Sequence, residues 1–116
     1  MSEKHFAYFI EALETLENLL HAETQAIAAH ELDTIDEIMQ QKDISLETLL
    51  AAKDSLEKDP RNNQLANEKL DYVMNLQSRN AISFKKLKDR VEAKNKADDP
   101  SRKSSEHKAR STYLEN

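Results

Sequence analysis

Large apolar side chains recur every three or four residues along most of the chain. Phe6, Phe9, Leu13, Leu16, Leu20 and Ile27 form a first stripe, which Ile10 and Leu19 widen. A second stripe takes in Ile35, Ile38, Met39, Leu46, Leu49, Leu50 and Leu56. This is the period of helices that bury one face, not the alternation of a strand. Between the stripes lies His30-Glu31-Leu32-Asp33-Thr34-Ile35-Asp36. Asp33 is suited to cap a new helix, and Asp36 in its first turn would favour the helix dipole. Periodicity alone also fits one long bent helix, since 56 helical residues would span about 84 Å. A reversal near residues 30–34 is the preferred reading.

Asp59-Pro60-Arg61-Asn62-Asn63 is a clear break. Proline bars helix continuation and disfavours helical backbone at the residue before it. The Asn pair supplies turn and N-cap chemistry. Beyond the break, Leu70, Val73, Gln77, Asn80, Phe84, Leu87 and Val91 follow alternating spacings of three and four. These are seven consecutive seam positions, of which Gln77 and Asn80 are polar. Polar seam residues lower coiled-coil stability but fix register and partner number. They either satisfy each other or a facing group within the protein, or turn this stretch toward something other than its own core. Leu65, Leu76 and Ile82 lie off the seam and form a partial second apolar edge. A second break, Ala97-Asp98-Asp99-Pro100-Ser101, opens a polar segment whose large apolar residues are Tyr113 and Leu114. That segment has too little apolar surface to offset chain entropy. The pattern predicts an all-α protein: an antiparallel, coiled-coil-like bundle of three long helices over about 3–30, 33–58 and 63–95. The bundle is one domain, residues 1–96, followed by a disordered tail over 97–116.

Composition narrows the function classes. The chain has 116 residues, no Gly, no Cys and two Pro. Average usage would put Gly near 7%. Without it, the positive-φ turns of hairpins and the phosphate-cradling loops of nucleotide-binding folds lack their usual residue. Zero Cys removes disulfides and thiolate metal sites. No run approaches the roughly 20 apolar residues of a membrane span. The start, MSEKHFAYFIEAL, lacks the features of a signal peptide, so a cytoplasmic protein without membrane insertion is expected. Charge is uneven. Residues 1–59 carry 4 basic and 14 acidic side chains, net −10, whereas residues 60–93 carry 7 and 4, net +3, and residues 94–116 carry 6 and 4, net +2. A basic helix lying along an acidic hairpin explains this asymmetry. A nucleic-acid surface formed by Arg79, Lys85, Lys86, Lys88, Arg90, Lys94 and Lys96 is disfavoured, because the acidic half repels phosphate.

Catalysis has little to work with. The histidines are His5, His21, His30 and His107. Glu17 and His21 share a helix face, yet the Glu-x-x-His of di-iron bundles and the His pair of zinc helices are both missing. No catalytic residue, metal site or cofactor is expected. Binding through helices remains, with self-association into a structural coiled-coil adaptor as the alternative.

From about residue 10 to residue 92 the chain resembles the FlgN-type flagellar export chaperones. The first part of the resemblance is Leu13 to Leu20, Glu23, Ala26-Ile27, Leu32-Asp33, Ile35, Ile38, Lys42, Leu46 and Leu49-Leu50. The second part is Leu70, Val73, Leu76-Gln77, Asn80, Ile82 and Leu87. The family usually has a second Asn three residues on and often a Gly, where Ser83 and Ala81 stand here. It also usually has a longer second loop and a Tyr/Gly-rich tail. The resemblance implies a cytoplasmic chaperone that binds the amphipathic C-terminal helix of a hook-associated protein before type III export. Carried over by position, the implied partner surface is Val73, Leu76, Gln77, Asn80, Phe84, Leu87 and Val91. The apolar residues would bury client side chains, Gln77 and Asn80 would set register, and Lys85, Lys86, Lys88 and Arg90 would meet client acids or the export apparatus. Ordinary bundle core is the competing reading for all seven.

Overall fold

The computed structural model describes residues 2–98. In chain order these form α1 (Ser2–Ala28), α2 (Leu32–Asp54), a 3-10 turn (Pro60–Asn62) and α3 (Gln64–Asp98). There is no strand among the described residues. The expected all-α architecture of three long helices is the one observed, and the chain does reverse between the first two. The tail expected over 97–116 lies outside the described residues except for its first two positions, which belong to α3. No helix among them is long and apolar enough to cross a membrane.

The first reversal is built without glycine. Glu31 N–H donates to Ala26 O (2.9 Å) and His30 N–H to Ile27 O (3.1 Å), the paired bonds of a Schellman C-cap. That motif needs a left-handed residue, and His30 supplies it at φ 60°. Histidine is among the side chains that tolerate this region. The expected Asp33 cap does not form. Helix α2 starts at Leu32, and Glu31 occupies the N-cap position without a side-chain hydrogen bond. Asp33 instead sits in the first turn, where its charge opposes the helix dipole's positive end.

The second connection begins earlier than expected. Helix α2 ends at Asp54 rather than near residue 58, because Ser55 closes the last turn through its N–H (3.2 Å) and hydroxyl (2.7 Å), both donating to Ala52 O. Asp59 caps the 3-10 turn by accepting from Arg61 N–H. Asn63 then caps α3, its Oδ1 accepting from Ala66 N–H at 3.0 Å, as the Asn pair predicts. Arg61 ties this connection to α3 through Asn67 Oδ1 (2.6 Å) and Asp71 Oδ1 (2.9 Å), and its Nη2 lies 3.3 Å from Met74 Sδ.

The described residues divide into two units, with the boundary between Ser83 and Phe84. The first holds α1, α2 and α3 as far as Ser83. Within it the helices run up, down and up. Glu17 meets Lys69, His21 meets Tyr72 and Glu23 meets Asn80, so α1 and this part of α3 ascend together. Its core draws Phe9, Leu13, Leu16 and Leu20 from α1, Leu49 and Ala52 from α2, and Ala66, Val73 and Leu76 from α3. Full burial of each Leu or Phe contributes about 1.5–3 kcal/mol. In the described part of the second unit, Leu87 is buried while Phe84 and Val91 are half-buried.

Candidate functional site: a buried polar layer beside an open apolar groove

The seam of α2 is not the one its leucines suggest. The buried positions are Ile35, Ile38, Lys42, Ser45, Leu49 and Ala52, a regular three-four series with two polar members. Leu46 and Leu50, read from sequence as part of the core stripe, are 43% and 59% exposed. The wide spacing between Ile38 and Leu49 is therefore filled by Lys42 and Ser45. Helix α1 has a matching gap between Leu20 and Ile27, which is filled by the buried Glu23.

Glu23, Lys42 and Asn80 meet in a polar layer that joins all three helices. Lys42 Nζ lies 2.9 Å from Glu23 Oε2 and 3.0 Å from Oε1, and donates to Gln77 Oε1 at 2.9 Å. The ammonium thus donates to one carboxylate and one amide oxygen, on two different helices. Asn80 Nδ2 donates to Glu23 Oε1 (3.0 Å) and to Leu20 O (2.9 Å). Thr24 Oγ1 lies 2.9 Å from both Asn80 Oδ1 and Leu20 O, and shares its single proton between them. By chain position, the layer separates Phe9–Leu20 and Leu49 on one side from Ala26, Ile27, Ile35 and Ile38 on the other. Such a layer fixes which turn of each helix faces which, because any slip strands a buried charge.

Of the seven positions singled out from sequence, Val73, Leu76, Asn80 and Leu87 are buried, and Phe84 and Val91 are half-buried. Gln77 is exposed. Asn80 and Gln77 satisfy groups within the bundle, the first of the two roles open to polar seam residues. Sequence reasoning placed these two on the seam but did not pair them with Glu23 and Lys42. The signal was present in the two gaps, which fall at seam spacing.

On the α2/α3 side of the polar layer lies an open apolar groove. A hollow of about 240 Å³ is lined by Phe9, Leu49, Leu50, Leu70, Lys53 and Arg61, among others. Leu46 is one helical turn from both Lys42 and Leu50. Met74, 56% exposed, is one turn from both Leu70 and Gln77. By helix position these residues lie between the hollow and the Lys42–Gln77 bond, a distance of two turns or about 12 Å. Asp36, Asp43 and Glu47 are exposed on α2 and belong to no salt bridge among the described residues.

The α1/α3 side is closed by charge. Lys69 Nζ lies 3.4 Å from Glu17 and 3.5 Å from Glu14. Burial pulls the Lys69 pKa down, but attraction and hydrogen bonding to Glu17 and then Glu14 outweigh it, and the ammonium is held above its ordinary value. His21 Nε2 sits 3.4 Å from Tyr72 Oη and 3.5 Å from Glu17 Oε2 at the exposed end of this seam. Among the described residues no three His, Asp or Glu side chains gather as a metal site. No family model matches the chain, and no curated protein and no solved structure matches it.

Proposed function

We propose that the chain is a cytoplasmic chaperone that binds the amphipathic C-terminal helix of a flagellar or type III export substrate of the hook-associated class. The observation that carries this reading is the exposed apolar row Leu46, Leu50 and Met74 beside a bundle whose own core is already formed. Exposed apolar side chains on two neighbouring antiparallel helices are the receptor half of helix-in-groove recognition. The likeness of Glu23, Lys42, Gln77 and Asn80 to the pattern of FlgN-type chaperones supports the same class.

Within this proposal Gln77, Phe84 and Val91 are reachable by a client without unfolding. Val73, Leu76, Asn80 and Leu87 contact one only where α3 is displaced. Lys85, Lys86, Lys88 and Arg90 remain for acidic groups on the client or export apparatus.

Affinity capture from the source organism's lysate, with partners identified by mass spectrometry, tests the reading. A dominant flagellar or secreted helical protein, lost when its C-terminal segment is removed, supports it. The exposed row also favours a second reading, a coiled-coil adaptor that covers Leu50 and Met74 with another copy of itself. Recovery of bait alone, with sedimentation showing a stable dimer or larger, replaces the chaperone by that adaptor.

A further inference from the structure

We infer that Gln77 is the specificity key of the α2/α3 groove, selecting a partner helix that carries one polar hydrogen-bond acceptor within its apolar stripe and basic residues along its flanks. The inference rests on the helix-binding reading above and adds the chemistry of the helix bound.

The amide of Gln77 is half used. Its Oε1 is committed to Lys42 Nζ at 2.9 Å, which fixes the oxygen toward the polar layer. Its Nε2 has no hydrogen-bond partner among the described residues. Gln77 is exposed, so water serves the amide protons while the groove is empty. It stands one turn from Met74, where the apolar walls end. A helix laid along Leu46, Leu50 and Met74 covers this amide and removes its water. A wholly apolar stripe then leaves two N–H donors buried without an acceptor, which is costly. A partner with Asn, Gln or Ser at the matching position restores the bond. Specificity of this kind comes from rejecting the partner that lacks the group. Releasing Gln77 would cost the Lys42 ammonium one of its two hydrogen bonds, which holds the amide oxygen in place.

The flanks follow from charge. The α2 side of the groove bears Asp36, Asp43 and Glu47, none of them salt-bridged among the described residues. On the α3 side, Asp71 is already paired with Arg61. Toward the Lys42–Gln77 end the rim therefore favours Lys or Arg on the partner, whereas Lys53 and Arg61 place positive charge at the hollow.

The test uses the full chain and synthetic amphipathic helices of about 18 residues, titrated by fluorescence anisotropy. One peptide has an all-Leu stripe with Lys flanks. The second replaces the central Leu by Asn. The third is the Asn peptide with Glu flanks. The Asn peptide with Lys flanks is expected to bind about tenfold more tightly than the all-Leu peptide. Gln77→Leu is expected to reverse that order, with helicity checked by circular dichroism. Gln77→Glu keeps an acceptor for Lys42 and guards against misfolding of the Leu variant. It is expected to keep the preference for the Asn peptide, whose amide can donate to the new carboxylate. The Glu-flanked peptide is expected to bind more weakly, by a margin that shrinks as salt rises. Equal binding of the Asn and all-Leu peptides, unchanged by Gln77→Leu, overturns the key and leaves helix binding standing. Failure of every peptide to bind the folded native chain overturns both.

Discussion

At the scale of single residues, the polar layer carries the sharpest energetic consequence. Glu23 is almost fully buried, and its carboxylate is neutralised by one side chain, Lys42, with Asn80 adding a hydrogen bond. Lys42→Met strands that charge and is expected to cost about 3–5 kcal/mol. The double variant Glu23→Leu with Lys42→Met removes both charges and is expected to cost much less than the sum of the singles. Urea denaturation of the four proteins checks this, and simple additivity would mean that the two groups do not act as a pair. Lys69 gives a different signature, because its ammonium is held above its ordinary pKa by Glu17 and Glu14. A raised folded-state pKa for a base stabilises the fold fully below the unfolded value, near 10.4, and that contribution is lost as pH rises through the folded value. Wild type is therefore expected to lose stability above about pH 10.5 more steeply than Lys69→Met, read as melting temperature against pH. Equal slopes would show that the ammonium gains nothing from its two carboxylates.

At the scale of elements, helix existence was legible in the sequence and helix phase only partly so. Helix α1 has its stripe on large apolar residues, and Phe9, Leu13, Leu16 and Leu20 are all buried as its spacing predicts. Helix α2 misleads because Leu46, Leu49 and Leu50 offer two competing faces. The face with fewer leucines wins, since only it places Lys42 against Glu23 and Ser45 and Ala52 where small side chains let α1 approach closely. The partners of Gln77 and Asn80 were not legible for the same reason: a Lys or Glu at a seam position looks like a solvated face until its opposite number is located. The first turn was hidden by composition. A Gly-free chain carries no marker for a left-handed cap, and His30 takes that place at φ 60°. His30→Gly relieves the side-chain clash of this region at a cost in unfolded-state entropy. It is expected to leave stability unchanged or raise it by up to about 1 kcal/mol, while His30→Val is expected to lower it by about 1–2 kcal/mol. Thermal unfolding of the two variants decides whether this turn is strained.

At the scale of the molecule, a small core and an unburied apolar row compete for the same leucines, and the two populations respond differently to substitution. Val73 and Leu76 lie in the core with Phe9 and Leu13, so truncating either to Ala opens a cavity. Such cavities are expected to cost about 2–5 kcal/mol each for Leu and somewhat less for Val, and to weaken partner binding only through loss of fold. Leu50 and Met74 are more than half exposed, so Leu50→Glu and Met74→Glu leave the core as it is. Each is expected to change stability by no more than about 0.5 kcal/mol. Each puts a carboxylate where the partner's apolar stripe would bury it without a counter-charge, and is therefore also expected to abolish capture of the partner helix. The four variants are compared by chemical denaturation and by capture of the same partner. Loss of capture in the exposed pair at full stability makes the groove the working surface of the protein. Retained capture in that pair, with loss only where the fold itself weakens, returns the partner surface to the seam of α3 and requires that helix to open before a client can bind.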